Sequence, residues 1–300
     1  MNPQNRKRQR GWTMLEMICA VGIISVIAGF STGVTAGVRR NAQCVACAHN
    51  LRQIGNALIM YQSENSCYPM MGDALPDALA KYISAPEIFV CPRDRGNADS
   101  YSPFYVPRQA TEPDGFLIGC PRHGSSKQTN GLYGNGRTLA GDNAGVKWND
   151  KPVPIGTVVK GGQLKFADGT IVDIKAGLDV IVMVSFNEAP GKIYSAIRIP
   201  NGQFGWVHVQ AAHGTHFDVV TAAATAGVRG TDFYVYAEQT GTNYRTRVQV
   251  LSGVVRVEYP WSNGRAGGTA SLKAGDILQF VVPKVIVGSA NSTPQNPNPS

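Results

Sequence analysis

Cysteine is the residue type in this 300-residue chain best placed to do chemistry, at Cys19, Cys44, Cys47, Cys67, Cys91 and Cys120. Cys44-x-x-Cys47, Cys91 and Cys120-x-x-His123 together form a pool of thiolates and one imidazole, the donor set a tetrahedral zinc ion takes. Against that reading, Cys44 and Cys47 fall on a helical stripe, where thiols pack as small apolar side chains. A disulfide between Cys91 and Cys120, closing a loop around an irregular segment, is the simplest of the three readings; plain packing is the third. A redox Cys-x-x-Cys site fits less well, because that motif works at a helix N-terminus and here lies mid-helix. Five cysteines follow Cys19, an odd number, so at least one stays unpaired within the chain. No Ser/His/Asp set, carboxylate pair or glycine-rich phosphate loop is assignable from spacing. The chain therefore reads as a non-enzyme, with no catalytic residue and no cofactor.

Glu16 is the other chemically notable residue. Arg6, Lys7, Arg8 and Arg10 precede Gly11, and an apolar run starts at Trp12 in which Glu16 is the one carboxylate up to Val38. As a helix this run is ~40 Å long and spans a ~30 Å hydrocarbon layer. The basic leader then stays inside, and everything after Val38 is exported to the periplasm from a single-pass inner-membrane anchor. An acid in such a helix needs a partner. Cleavage after Gly11 would supply one, the new α-amine of Trp12 on a neighbouring subunit. Gly29, Gly33 and Gly37 form a ladder suited to close helix contact, or reflect only the frequency of glycine in membrane helices. The Gly11/Trp12/Glu16 arrangement resembles the class III signal of type IV pilins and type II secretion pseudopilins. That resemblance implies a prepilin peptidase cutting after Gly11 and methylating Trp12, with Glu16 setting subunit register. Trp12 departs from the family's usual Phe.

The elements that position these residues follow. Cys44, Cys47, Leu51, Ile54, Leu58 and Tyr61 recur at spacings of three and four, one stripe of a helix that runs to about Glu64. Cys47-Ala-His-Asn-Leu-Arg-Gln-Ile-Gly55, with Tyr68-Pro69 beyond, resembles a large pseudopilin-like group. Residues 65–153 pattern poorly and read as an irregular head. It holds two similar elements, Phe89-Val-Cys91-Pro and Leu117-Ile-Gly-Cys120-Pro.

From about residue 154 to 286 the texture turns to alternating, β-branched runs cut by glycine. Asp168-Gly169 and Ser252-Gly253 mark hairpins. Two echoes, Ile174-Lys-Ala-Gly with Leu272-Lys-Ala-Gly and Gly214-Thr-His-Phe with Gly230-Thr-Asp-Phe, suggest similar stacked units. Ala226-Gly227-Val228-Arg229-Gly230-Thr231-Asp232-Phe233, the hairpin over residues 246–257 and Leu272-Lys-Ala-Gly-Asp276 resemble the FecR domain. The match covers at least Phe217 to Phe280 and starts near Gly156. Within it Arg229 reads as a buried guanidinium paired with Asp232, or else as a ligand contact.

The fold class expected is α+β: a long N-terminal membrane-spanning helix over 12–64 (membrane part 12–38) and an irregular pilin-like head. An all-β FecR-like domain follows, as a β-roll, short solenoid or sandwich. A leader over 1–11 and a disordered tail over 287–300 complete it. The formal charge of +8 sits partly in the leader, and no basic patch interleaved with aromatics is evident, which speaks against nucleic acid. The leading function is a pilin-like structural subunit with a prepilin peptidase, other pilin-like subunits and the inner membrane as partners. Its FecR-like module would present a site for an envelope polysaccharide or protein. The alternative is a FecR-type signalling protein of the envelope.

Overall fold

The computed structural model describes residues 12–65, 68–69, 75–94, 96–107, 115–123, 128–262 and 265–283, with side chains 27–36 also left aside. The leader with Gly11, Cys67 and the tail lie outside the described residues. The chain divides after Gln43 into two compact units, and helix α1, Met14–Asn65, contributes to both.

The membrane-spanning helix expected over 12–38, and with it the single-pass inner-membrane placement, is overturned. Among the described residues no helix is long and apolar enough to cross a membrane. The strongly apolar residues give way to Gly29, Ser31, Thr32, Gly33, Thr35 and Gly37 before Arg39 and Arg40. The run therefore falls short of the ~20 predominantly apolar positions that a crossing needs.

In the second unit α1 buries Cys47, Leu51, Ile54 and Leu58, one face of a helix at spacings of three and four. That face packs with Leu75, Leu79, Phe89, Tyr101, Leu117 and Leu132 into one core. The helix lies close because Gly55 has no side chain: a Cβ there would stand 2.6 Å from Leu132 Cδ2.

The head is not irregular. Strands β1 (Phe116–His123), β2 (Gln128–Tyr133) and β3 (Thr138–Asp142) form an antiparallel sheet in that order. Short helices at Leu75–Ala78, Pro86–Phe89 and Ser102–Phe104 precede it.

The second sheet is larger, with thirteen strands among the described residues. They are β4 (Val146–Trp148), β5 (Lys151–Val153), β6 (Val158–Phe166), β7 (Ile171–Ala189), β8 (Lys192–Arg198), β9 (Gly205–Gln210) and β10 (His216–Val220). Then come β11 (Thr225–Val228), β12 (Asp232–Thr240), β13 (Asn243–Ser252), β14 (Val254–Ser262), β15 (Arg265–Lys273) and β16 (Ile277–Pro283). The main path runs β15-β14-β11-β10-β8-β7-β9-β12-β13-β16, with β6 joining β7 to β4 and β5. Strand β7 organises it. Its start pairs with β9, its later part pairs with β8, and β6 follows it on both sides of a register shift at Lys160/Gly162. Because β9 lies across β7 from β8, the chain returns so that β10 runs parallel to β8.

Strands from distant places in this order share one core. Tyr259 on β14 and Phe280 on β16 stand near opposite ends of the path, yet their rings are 4.7 Å apart. The sheet therefore curls back on itself into a nearly closed barrel, not the stacked solenoid that the echoes suggested. The echoes mark turns instead: Gly214 and Gly230 have φ of +83° and +70°, each shortly before a strand, a conformation open to glycine.

On β8, Tyr194, Ser195, Ala196 and Ile197 are all buried. Ile197 faces the barrel core, while Tyr194 and Ala196 meet Phe104, Phe116, Tyr133 and Phe186 on the outer side. Both faces of this strand are covered, which gives a continuous buried run in place of alternation.

Candidate functional site

The N-terminal candidates have a local explanation. Thr13 and Glu16 form a capping box: the Thr13 N–H donates to Glu16 Oε2 at 2.8 Å, and the Glu16 N–H donates to Thr13 Oγ1 at 3.3 Å. The Thr13 backbone bond, then its hydroxyl, holds the Glu16 carboxyl below its usual range. The Thr-x-x-Glu spacing was there to be read. Trp12 beside it is exposed.

The FecR-like turn is architecture. A Cβ on Gly227 would meet Asp218 Oδ1 at 2.7 Å, and one on Gly230 would meet His213 Nδ1 at 2.3 Å. Val228 and Phe233 enter the barrel core, and Thr231 Oγ1 donates to Val254 O at 3.0 Å. Arg229 is not the buried partner of Asp232. It is exposed, and Asp232 Oδ1 instead lies 2.6 Å from His208 Nε2. The mid-turn position of Arg229 turns its side chain outward while Asp232 starts strand β12. Arg229→Ala is accordingly expected to change unfolding free energy by less than about 0.5 kcal/mol, as read by urea denaturation.

A concave face forms where alternation points the odd members of four strands away from the core. Val207 and Val209, Phe233 and Val235, and Val248 and Val250 go inward. Trp206 and His208, Tyr234 and Tyr236, and Arg245 and Arg247 go outward. Register aligns them in a row: Tyr236 faces Trp206 on one side and Arg247 on the other, and Arg247 faces Gln279. The result is a cleft of about 450 Å³ lined by Lys175, Phe204, Trp206, Tyr236, Arg245 and Arg247, with Glu238 and Gln279.

Its electrostatics are specific. Arg247 Cζ lies 4.2 Å from the Tyr236 ring centre, and Lys175 Nζ lies 4.6 Å from that of Phe204, cations over aromatic faces. Glu238 Oε2 is 3.3 Å from Arg245 Nη1. Behind the row, His208 stacks on Tyr234 at 4.3 Å and 11°, and Trp206 meets Tyr234 edge-on at 5.6 Å. Phe204 is 67% exposed, an uncovered aromatic at the mouth. Such a face suits an anionic ligand with a flat apolar body. The sequence reading found no basic patch among aromatics because these side chains come from separate strands, each contributing one or two.

The cysteine pool is brought together in part. The thiols of Cys47 on α1, Cys91 after the helix Pro86–Phe89, and Cys120 on β1 lie within 4.8 Å of one another, all buried. Cys91 and Cys120 are free thiols here. Tyr101 Oη donates to Cys47 Sγ at 3.4 Å. The turn carrying Cys91 is held by its N–H donating to Ser100 Oγ at 3.0 Å, whose hydroxyl donates to Asp94 at 2.9 Å. A hydrogen bond from Cys120 lowers the Cys47 thiol, but Cys91 and burial outweigh it and push Cys47 up to about 12. Hydrogen bonds with Cys47 and Cys91, then burial, raise Cys120 well above its usual value. Cys44 is half-buried, and the side chain of His123 lies outside the described residues.

Residues 160–256 match the family described as FecR protein. The match lies wholly within the large sheet, beginning on β6 and ending on β14, and lends nothing to the pilin-like N-terminus. Among solved structures, two crystal structures of a protein from Parabacteroides distasonis, described as an anti-sigma factor, are similar at 22% and 21% identity, with TM-scores of 0.33 and 0.32. Each alignment covers 43% of this chain and 56% of the other, so the chain spans little more than half the length of those structures. No curated protein matches.

Proposed function

We propose that the chain is a non-catalytic FecR-type regulatory protein that receives a protein partner through an acidic segment laid in the cleft of Phe204, Trp206 and Tyr236. The observation that supports this reading is a coincidence of place. Lys175, Phe204, Trp206, Tyr236, Arg245 and Arg247 all fall inside the FecR match at 160–256. Three cations stand against the single carboxylate of Glu238, which Arg245 already engages, so the surplus charge selects an anionic partner. Aromatic side chains with a guanidinium at the centre of a cleft have the composition of an interface hot spot. The pilin-like subunit role draws no support from these observations, since Glu16 is engaged within its own helix.

The test compares the transcripts of a strain carrying Arg247→Glu with those of wild type and of a deletion strain. A regulator reading its partner here makes the variant reproduce the deletion's expression pattern at normal protein level. A deletion that alters no transcripts would overturn the regulatory reading. In vitro, the full chain is expected to bind an immobilised Glu/Tyr copolymer. Trp206→Ala should weaken that binding roughly 30-fold or more, since truncating a hot-spot residue costs at least about 2 kcal/mol. Binding should weaken with rising salt. Retention on polygalacturonate but not on the copolymer would make the ligand a polysaccharide and exclude the protein partner.

A further inference from the structure

We propose that Cys47, Cys91 and Cys120 form a zinc site that pins helix α1 to the small sheet. Three thiols converge from three separate segments, and all three sulfurs lie within 4.8 Å of one another. Thiolates bound to zinc at about 2.3 Å stand roughly 3.8 Å apart in a tetrahedron, so a small contraction closes the site. A disulfide would use two of the three and leave the third beside it; a metal uses all of them. Thiolate sulfur is the ligand that selects zinc over harder divalent ions.

The surroundings supply what a buried anionic complex needs. Zinc with three thiolates carries one negative charge, and its formation releases the three thiol protons to solvent. Arg93, two residues past Cys91, has a buried Nη1 with no hydrogen-bond partner among the described residues. Its positive charge acts on Cys44, which places it on the cysteine side of the turn as a counter-charge. Tyr101 already donates to Cys47 Sγ, an outer hydrogen bond of the kind that orients metal ligands. Cys44 sits one helical turn before Cys47 on α1, three residues away and so on the same side of the helix. It is the candidate for the fourth corner.

This site is independent of the FecR reading, and its test does not touch the cleft. The full chain, purified under reducing conditions without chelator, is assayed for zinc by inductively coupled plasma mass spectrometry and then loaded with cobalt. The expected result is one zinc per chain and, after exchange, a thiolate-to-cobalt charge-transfer band of tetrahedral type. Cys120→Ala should lose both, while Cys44→Ser should keep the metal at least about 10-fold more weakly. Replacing a fully buried thiol can cost folding by itself, so the wild-type chain carries a second measurement. Chelator should lower its melting temperature, and added zinc should restore it. A folded, reduced wild-type chain that takes up neither zinc nor cobalt would overturn the proposal. So would a Cys91–Cys120 disulfide found by mass spectrometry in metal-free protein from cells.

Discussion

Phe116→Ala is expected to lower the unfolding free energy by about 3–5 kcal/mol, seen as a fall in the urea midpoint with the slope unchanged. The Phe116 ring is fully buried and touches both sheets. Its centre lies 5.9 Å from Tyr133 of β2, 5.9 Å from Phe186 of β7 and 4.8 Å from Tyr194 of β8. The ring also rests on two glycines. A Cβ on Gly119 or Gly131 would stand 2.7 or 2.9 Å from its atoms. With no side chain at either position, nothing adjacent can swing in to fill the space the ring leaves. The cost should therefore fall at the upper part of the range, where a cavity persists. Phe204→Ala is the control: that ring is 67% exposed and its loss should cost under about 0.5 kcal/mol. A Phe116→Ala variant within 1 kcal/mol of wild type would mean that the two sheets do not depend on this ring.

The same ring shows why the head escaped sequence reasoning. Strands β1, β2 and β3 contain Gly119, Pro121, Asn130, Gly131 and Gly141, residues that weaken a strand taken alone. These positions are glycine because an aromatic ring lies on them: Phe116 covers Gly119 and Gly131, and Phe186 stands 2.5 Å from where a Gly141 Cβ would be. Only the tertiary contact explains the residue. By contrast, the buried stripe Cys47, Leu51, Ile54 and Leu58 and the hairpin glycines Gly169 and Gly253, with φ of +90° and +81°, are local patterns and could be read directly. The apolar N-terminal run misled because length was weighed above the density of strongly apolar side chains. Site legibility divides the same way. Three of the pooled cysteines converge, but no spacing rule could select Cys47 over Cys44 as the third member. The cleft was invisible because its row, Trp206, Tyr236, Arg247 and Gln279, is an outcome of strand register.

Gly230→Ala carries the second large effect, because two separate penalties fall on one methyl group. Gly230 sits at φ +70°, and an L-residue held there costs about 1–3 kcal/mol. The added Cβ would also lie 2.3 Å from His213 Nδ1 and 3.0 Å from His213 Cα, so the 213 segment must shift, at about 1–3 kcal/mol for overpacking. The expected total is roughly 2–6 kcal/mol, measured by urea unfolding. The two parts separate in a double-mutant cycle with His213→Ala. Removing the imidazole relieves the ring overlap but leaves both the backbone contact and the strained φ. The double variant should therefore be more stable than the sum of the singles predicts, with a coupling of about 1 kcal/mol or more. Strict additivity would show that backbone conformation alone demands glycine. Because Gly230 shapes a turn and lines no part of the cleft, the folded fraction of the double variant should bind the Glu/Tyr copolymer as wild type does. A loss of binding there would move the recognition surface from the Trp206–Tyr236–Arg247 row to the turn itself.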